Sequence, residues 1–98
     1  MIKLAEGIER QAFVLISTTN SSIERYVGKR GSMYLGGGYV ITEKGEHNVM
    51  FRPFRLPEFK GMFKGFDTST VVDYELGSKY LVVETRNSTY VFKRGGRI

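Results

Sequence analysis

The segment Phe51-Arg52-Pro53-Phe54-Arg55-Leu56-Pro57-Glu58-Phe59-Lys60-Gly61-Met62-Phe63-Lys64-Gly65-Phe66 carries the residue types best suited to binding chemistry. Five phenylalanines alternate with Arg52, Arg55, Lys60 and Lys64, against a single Glu58. Aromatic faces stack on nucleobases while cations neutralise phosphates, and each stacked base contributes about 1–3 kcal/mol. The same spacing has a structural reading, because Phe59, Phe63 and Phe66 recur at near-helical intervals and can plug the open end of a barrel. Their cationic neighbours would then keep the plug hydrated. Both readings stand at this level.

Two further stretches add cations. Gly28-Lys29-Arg30-Gly31-Ser32 offers backbone amides beside Lys29 and Arg30, which suits a phosphate. It is not a P-loop, which requires Lys-Ser or Lys-Thr after its second glycine, and Gly36 is followed by Gly37 and Gly38. A flexible hairpin tip with a tight bend at Gly36–Gly38 is the alternative. The final Lys93-Arg94-Gly95-Gly96-Arg97-Ile98 forms one arginine-glycine-glycine element on what reads as a frayed basic tail over 93–98. The expected nucleic-acid-binding set is therefore Arg52, Phe54, Arg55, Lys60 and Lys64, helped by Lys29, Arg30, Arg94 and Arg97. Phe54 is the expected stacking platform.

Catalytic chemistry finds little to work with. His47 is the only histidine and no cysteine occurs, so neither a disulfide nor a thiolate metal site is available. His47, beside Glu43 and Glu46, reads as an exposed hairpin residue. No serine or threonine is accompanied by a recognisable base, and no motif pairs two carboxylates. A non-enzymatic domain without a cofactor or metal is expected. Asn20-Ser21-Ser22 and Asn87-Ser88-Thr89 match the glycosylation pattern but read as turn chemistry.

Composition sets the frame for these residues. Ninety-eight residues fit one domain, which buries only about 60–65% of the surface its unfolded chain exposes. Apolar residues make up 41% and aromatics 13%, enough for one packed core. The net charge of +5 is uneven: residues 1–50 hold six basic and five acidic groups, residues 51–98 nine and five. A basic second half favours nucleic acid or an acidic protein as partner, and self-assembly through sheet edges is a further expectation. The first residues lack an apolar run of signal-peptide length, and Ala12–Ile16 is far shorter than the ~20 residues that span a bilayer. A soluble, cytoplasmic protein with no membrane partner is expected.

The elements read mainly as β, with one domain over 1–98. Residues 2–11 suggest a short helix with Ile2, Ala5 and Ile8 on one face. Ala12–Thr18 suits a central strand covered on both faces. Thr19–Ser22 is a turn, and Ile23–Val27 is expected to return as an edge strand. Tyr39–Thr42 and His47–Phe51 flank Glu43-Lys44-Gly45-Glu46 as a hairpin, and Pro53 and Pro57 open an irregular segment.

The last third permits a register test. A two-residue loop at Gly77-Ser78 pairs Leu76 with Lys79, Tyr74 with Leu81 and Val72 with Val83. A two-residue loop at Asn87-Ser88 pairs Thr85 with Tyr90 and Val83 with Phe92. Both place Val72, Tyr74, Leu81, Val83, Thr85, Tyr90 and Phe92 on one inward face. Asp73, Glu75, Glu84, Arg86 and Lys93 fall on the other. The whole points to a small antiparallel barrel or coiled sheet of six to eight short strands.

The residues Thr68-Ser69-Thr70-Val71-Val72, a strand, and then Glu84-Thr85-Arg86-Asn87-Ser88-Thr89-Tyr90-Val91-Phe92 resemble small bacterial and bacteriophage proteins that close with a T-x-N-S-x-Y hairpin. The resemblance spans residues 68–92 and implies an accessory protein of a bacterium or its virus, with no activity to carry over. Two functions follow as expectations. The first is a basic β-rich domain that docks an anionic partner, above all nucleic acid, with weak sequence preference. The second is a protein-interaction module that binds or inhibits a host protein.

Overall fold

A computed structural model describes residues 4–8, 10–36, 48–54 and 65–97. Helix α1 (Leu4–Ile8) leads into β1 (Gln11–Thr18), a 3-10 helix (Ser21–Tyr26) and β2 (Arg30–Gly36). There follow β3 (Asn48–Pro53), β4 (Phe66–Asp67), β5 (Val71–Leu76), β6 (Tyr80–Thr85) and β7 (Thr89–Arg97). All pairings are antiparallel, in the order β4-β3-β2-β1-β7-β6-β5.

That order forces curvature. β4 and β5 lie at opposite edges, yet only Thr68, Ser69 and Thr70 connect them. In a flat seven-stranded sheet the edges would stand about 29 Å apart, six spacings of about 4.8 Å. The chain from Asp67 to Val71 reaches about 14 Å at most. The sheet therefore coils until its edges nearly meet, without closing into a barrel.

The connecting segment Thr68–Thr70 is bonded through backbone and side chains to the strands on either side of the seam. The Thr68 amide donates to the Val49 carbonyl (2.8 Å), and the Val49 amide donates to Thr68 Oγ1 (2.9 Å). Across the gap the Ser69 hydroxyl donates to Thr85 Oγ1 (2.8 Å), and the Arg86 amide donates to the Thr70 carbonyl (3.0 Å).

Inside the coil lies one apolar cluster fed by every strand, including Phe13, Leu15, Met33, Val49, Phe51, Phe66, Val71, Val83 and Phe92. Its rings interlock: Phe51 sits 5.5 Å from both Phe66 and Phe92, and Phe66 stacks on Tyr90 at 5.7 Å. Such pairs add about 0.5–1.5 kcal/mol beyond the area they bury. Helix α1 touches β1, β2 and β5 and inserts Ile8 into the cluster, so it bridges both halves of the sheet.

Several local expectations are corrected. Ile23–Val27 is not an edge strand; Ile23 and Tyr26, three residues apart, turn inward together from the 3-10 helix. Asn20 caps that helix, its Oδ1 accepting from the Ser22 amide (3.0 Å) and hydroxyl (2.7 Å). β1 is central in the sheet, but its outer face is covered only in part: Ala12 is buried, Val14 half-buried and Ile16 38% exposed. β3 pairs with β2, Met33 opposite Phe51 and Gly36 opposite Asn48. The expected partner of β3, Tyr39–Thr42, lies outside the described residues, as do His47 and Ile2. The expected frayed tail is instead the second half of β7, paired with β1 as far as Gln11 opposite Arg97.

Both C-terminal hairpins turn one residue away from the expected loops. The Gly77 amide donates to the Tyr80 carbonyl, making Ser78-Lys79 the loop and setting Leu76 opposite Leu81 and Tyr74 opposite Val83. The Thr85 amide donates to the Ser88 carbonyl, making Arg86-Asn87 the other loop and setting Val83 opposite Tyr90 and Leu81 opposite Phe92. Each partner shifts by two residues, which preserves the face. Val72 is the exception. A bulge between Val71 and Asp73 turns Val71 inward and leaves Val72 43% exposed.

Arg10, between α1 and β1, has φ 55° and an exposed side chain. A non-glycine residue there costs about 1–2 kcal/mol relative to right-handed backbone. Arg10→Gly is expected to raise stability by up to about 1 kcal/mol, after glycine's greater unfolded-chain entropy is subtracted. A midpoint shift in urea denaturation measures it.

Candidate nucleic-acid interface

Opposed residues of neighbouring strands share a face, so the register defines rows across the outer surface. One row runs over four strands to the residue that follows β3. Tyr80 opposes Lys93, Lys93 opposes Val14, Val14 opposes Arg30, and the Phe54 amide donates to the Arg30 carbonyl (3.0 Å). Phe54 is 39% and Tyr80 47% exposed, and Arg30 and Lys93 are exposed between them. Val14 is half-buried at the centre. Aromatic, cation, aliphatic, cation and aromatic thus follow one another over about 19 Å, four inter-strand spacings.

Each member is placed by the fold. Phe54 follows Pro53, which ends β3 with no amide to donate, and its ring turns outward after buried Phe51 and Pro53. The Arg30 guanidinium lies 5.1 Å from the centroid of the Phe54 ring, and its Nε donates to the Gly95 carbonyl (3.0 Å). A planar cation over an aromatic face is attracted by the ring's quadrupole, worth about 0.5–1 kcal/mol at exposed sites. The pair joins a positive charge to an aromatic ring and is tied to β7. At the other end, Tyr80 borders an open depression of about 350 Å³ lined by Glu75, Gly77, Ser78, Lys79 and Val82.

The expected site residues distribute as follows. Arg30 and Phe54 come together. Arg52 stands on the same face opposite Ser32 but ties β3 to β4, donating to Asp67 (2.9 Å) and to the carbonyls of Phe51 (3.1 Å) and Phe66 (3.3 Å). Arg94 turns to the β5–β6 loop, where its Nε donates to the Gly77 carbonyl (2.9 Å). Arg97 is exposed opposite Gln11. Lys29 is half-buried behind the 3-10 helix. Arg55, Lys60 and Lys64 lie outside the described residues, as do Phe59 and Phe63. Phe51 and Phe66 belong to the core.

The glycine stretch does not cradle a phosphate with its first amides. The Gly28 amide donates to the Leu15 carbonyl (2.7 Å) and the Lys29 amide to the Tyr26 carbonyl (3.0 Å). Local sequence gave no reason to single out Tyr80, or to place Lys93 beside Arg30. Their signal is cross-strand register, available once β1 is known to lie between β2 and β7.

Among the described residues, no three His, Cys, Asp or Glu side chains gather as a metal-ligand set. Nor is any described helix long and apolar enough to cross a membrane. No protein-family model, curated protein or solved structure matches the chain.

Proposed function

We propose that this chain is a non-enzymatic binding domain whose outer sheet face docks nucleic acid with weak sequence preference. The observation that carries the reading is the cross-strand row in which Arg30 and Lys93 stand between two exposed rings, Phe54 and Tyr80. Cations held by a sheet contact phosphates, and rings beside them stack on bases of any identity, which explains affinity without base reading. The net charge of +5 supplies long-range attraction to a polyanion. The acidic groups Asp73 and Glu75 on β5 and Glu84 on β6 lie on the Tyr80 side of the sheet. They orient a polyanion toward β7, β1 and β2.

The test is a titration of labelled oligonucleotides at two salt concentrations. With Arg30, Lys93 and Lys79 each neutralising a phosphate, the log–log slope against salt is expected near −2 for a single strand. Affinity then falls about 20-fold between about 50 and 200 mM salt. Absence of binding at the lower salt concentration would sink the proposal.

A further inference from the structure

We infer that the ligand of this face is a single strand crossing the β-strands, with one base stacked at the Phe54–Arg30 platform and another at Tyr80. The inference rests on the nucleic-acid reading above and specifies its substrate class.

Three observations favour a single strand over a duplex. First, the row presents two exposed rings, and a ring can stack only on a base whose face is uncovered. In a duplex those faces are buried against neighbouring pairs. Second, the element most often laid in a duplex's major groove is a helix. The described helices cannot serve in that way: α1 spans five residues and buries Ile8, and the 3-10 helix turns Ile23 and Tyr26 inward. Third, the cations lie between the rings rather than around them. A backbone running from ring to ring therefore passes over Lys93 and Arg30 in turn.

The two ends are chemically different. At Phe54 the guanidinium of Arg30 already lies over the ring, so an incoming base meets a cationic plane backed by an aromatic one. Bases stack on arginine planes as well as on rings. Because Arg30 Nε is engaged by Gly95, the plane is held in place before the ligand arrives. At Tyr80 the base instead lies beside the depression lined by Glu75, Ser78 and Lys79, whose carboxylate, hydroxyl and ammonium can meet a base edge. A volume of about 350 Å³ lies within the range of small-ligand clefts. Any base preference should arise at this end.

The experiment compares fluorescein-labelled oligothymidine of about 12 nucleotides with a duplex of equal length, by anisotropy, on the full chain. The single strand is expected to bind at least about tenfold more tightly at equal salt. Phe54→Leu and Tyr80→Leu should each weaken oligothymidine by about tenfold with the salt slope unchanged, because a ring and not a charge is removed. Arg30→Lys, which keeps the charge but loses the plane, should weaken it by about fivefold. These side chains are exposed, and unchanged thermal midpoints will show that the variants fold. Equal affinity for both nucleic acids, with no effect of either ring, would overturn the inference and leave the nucleic-acid reading standing. Failure to bind either nucleic acid at low salt would remove both.

Discussion

Phe92→Ala is expected to lower the free energy of unfolding by about 3–5 kcal/mol, the usual cost of emptying a buried phenylalanine site. Phe92 is fully buried on β7, directly opposite Leu15 of β1 and Leu81 of β6. Its ring stands 5.5 Å from Phe51 and meets Phe13 edge-on at 6.3 Å. Strands on both sides hold the backbone, so the surroundings cannot collapse into the space. Small domains have about 5–15 kcal/mol in total, and this one has the thin margin of its size. Urea denaturation followed by far-ultraviolet circular dichroism measures the loss, and Phe92→Leu should forfeit less than half as much. A loss below about 1 kcal/mol would show that Phe92 is not at the centre of the core.

Gly65→Ala is expected to cost about 3 kcal/mol or more, combining backbone strain with a steric collision. Gly65 has φ +101°, and a Cβ there would run into the Phe51 carbonyl oxygen and approach Arg52 Cα to 3.2 Å. Those atoms are backbone, and β3 is held from its other side by β2, so the collision must be relieved by displacing β4. Displacing β4 would pull Phe66 from its stack with Tyr90 and strip the Arg52–Asp67 pair. Gly77→Ala is the control. Its nearest neighbour would be the Tyr80 carbonyl at 3.6 Å, an ordinary contact, so the change should stay within about 0.5 kcal/mol. Equal losses for the two substitutions would contradict the close approach at Gly65.

Much of the fold was legible because side-chain alternation survives errors that register does not. Shifting both C-terminal hairpins by two residues changed every partner but no face, so Tyr74, Leu81, Val83, Thr85, Tyr90 and Phe92 still point inward. Val71 and Val72 exchanged roles because a bulge inserts one residue, and valine next to valine leaves no local trace of which is buried. The 3-10 helix reads as a strand because Ile23 and Tyr26, β-branched and aromatic, suit a strand equally well. Its true sign is the three-residue spacing of Ile23 and Tyr26 behind an asparagine cap.

The candidate site was less legible than the fold. Arg30 and Phe54 could each be suspected from charge and ring, but their contact depends on β2 pairing with β3 rather than on proximity in the chain. Arg52 and Arg94, equally cationic in sequence, are occupied with carbonyls or Asp67. Sequence reports how many positive groups exist. Which of them tie strands together follows from the strand order.

The central ladder of the sheet joins β1 to β7, the two strands farthest apart along the chain. β5–β6–β7 can zip up through two-residue turns and β2–β3–β4 through connections of about a dozen residues, whereas the β1–β7 ladder forms only after a loop of nearly the whole polypeptide has closed. Contacts of such sequence separation slow folding far more than they alter equilibrium, placing the domain among chains that fold over milliseconds to seconds. Until that late joining is complete, both lips of the sheet's middle stay unpaired, and self-association during refolding has its natural opening there.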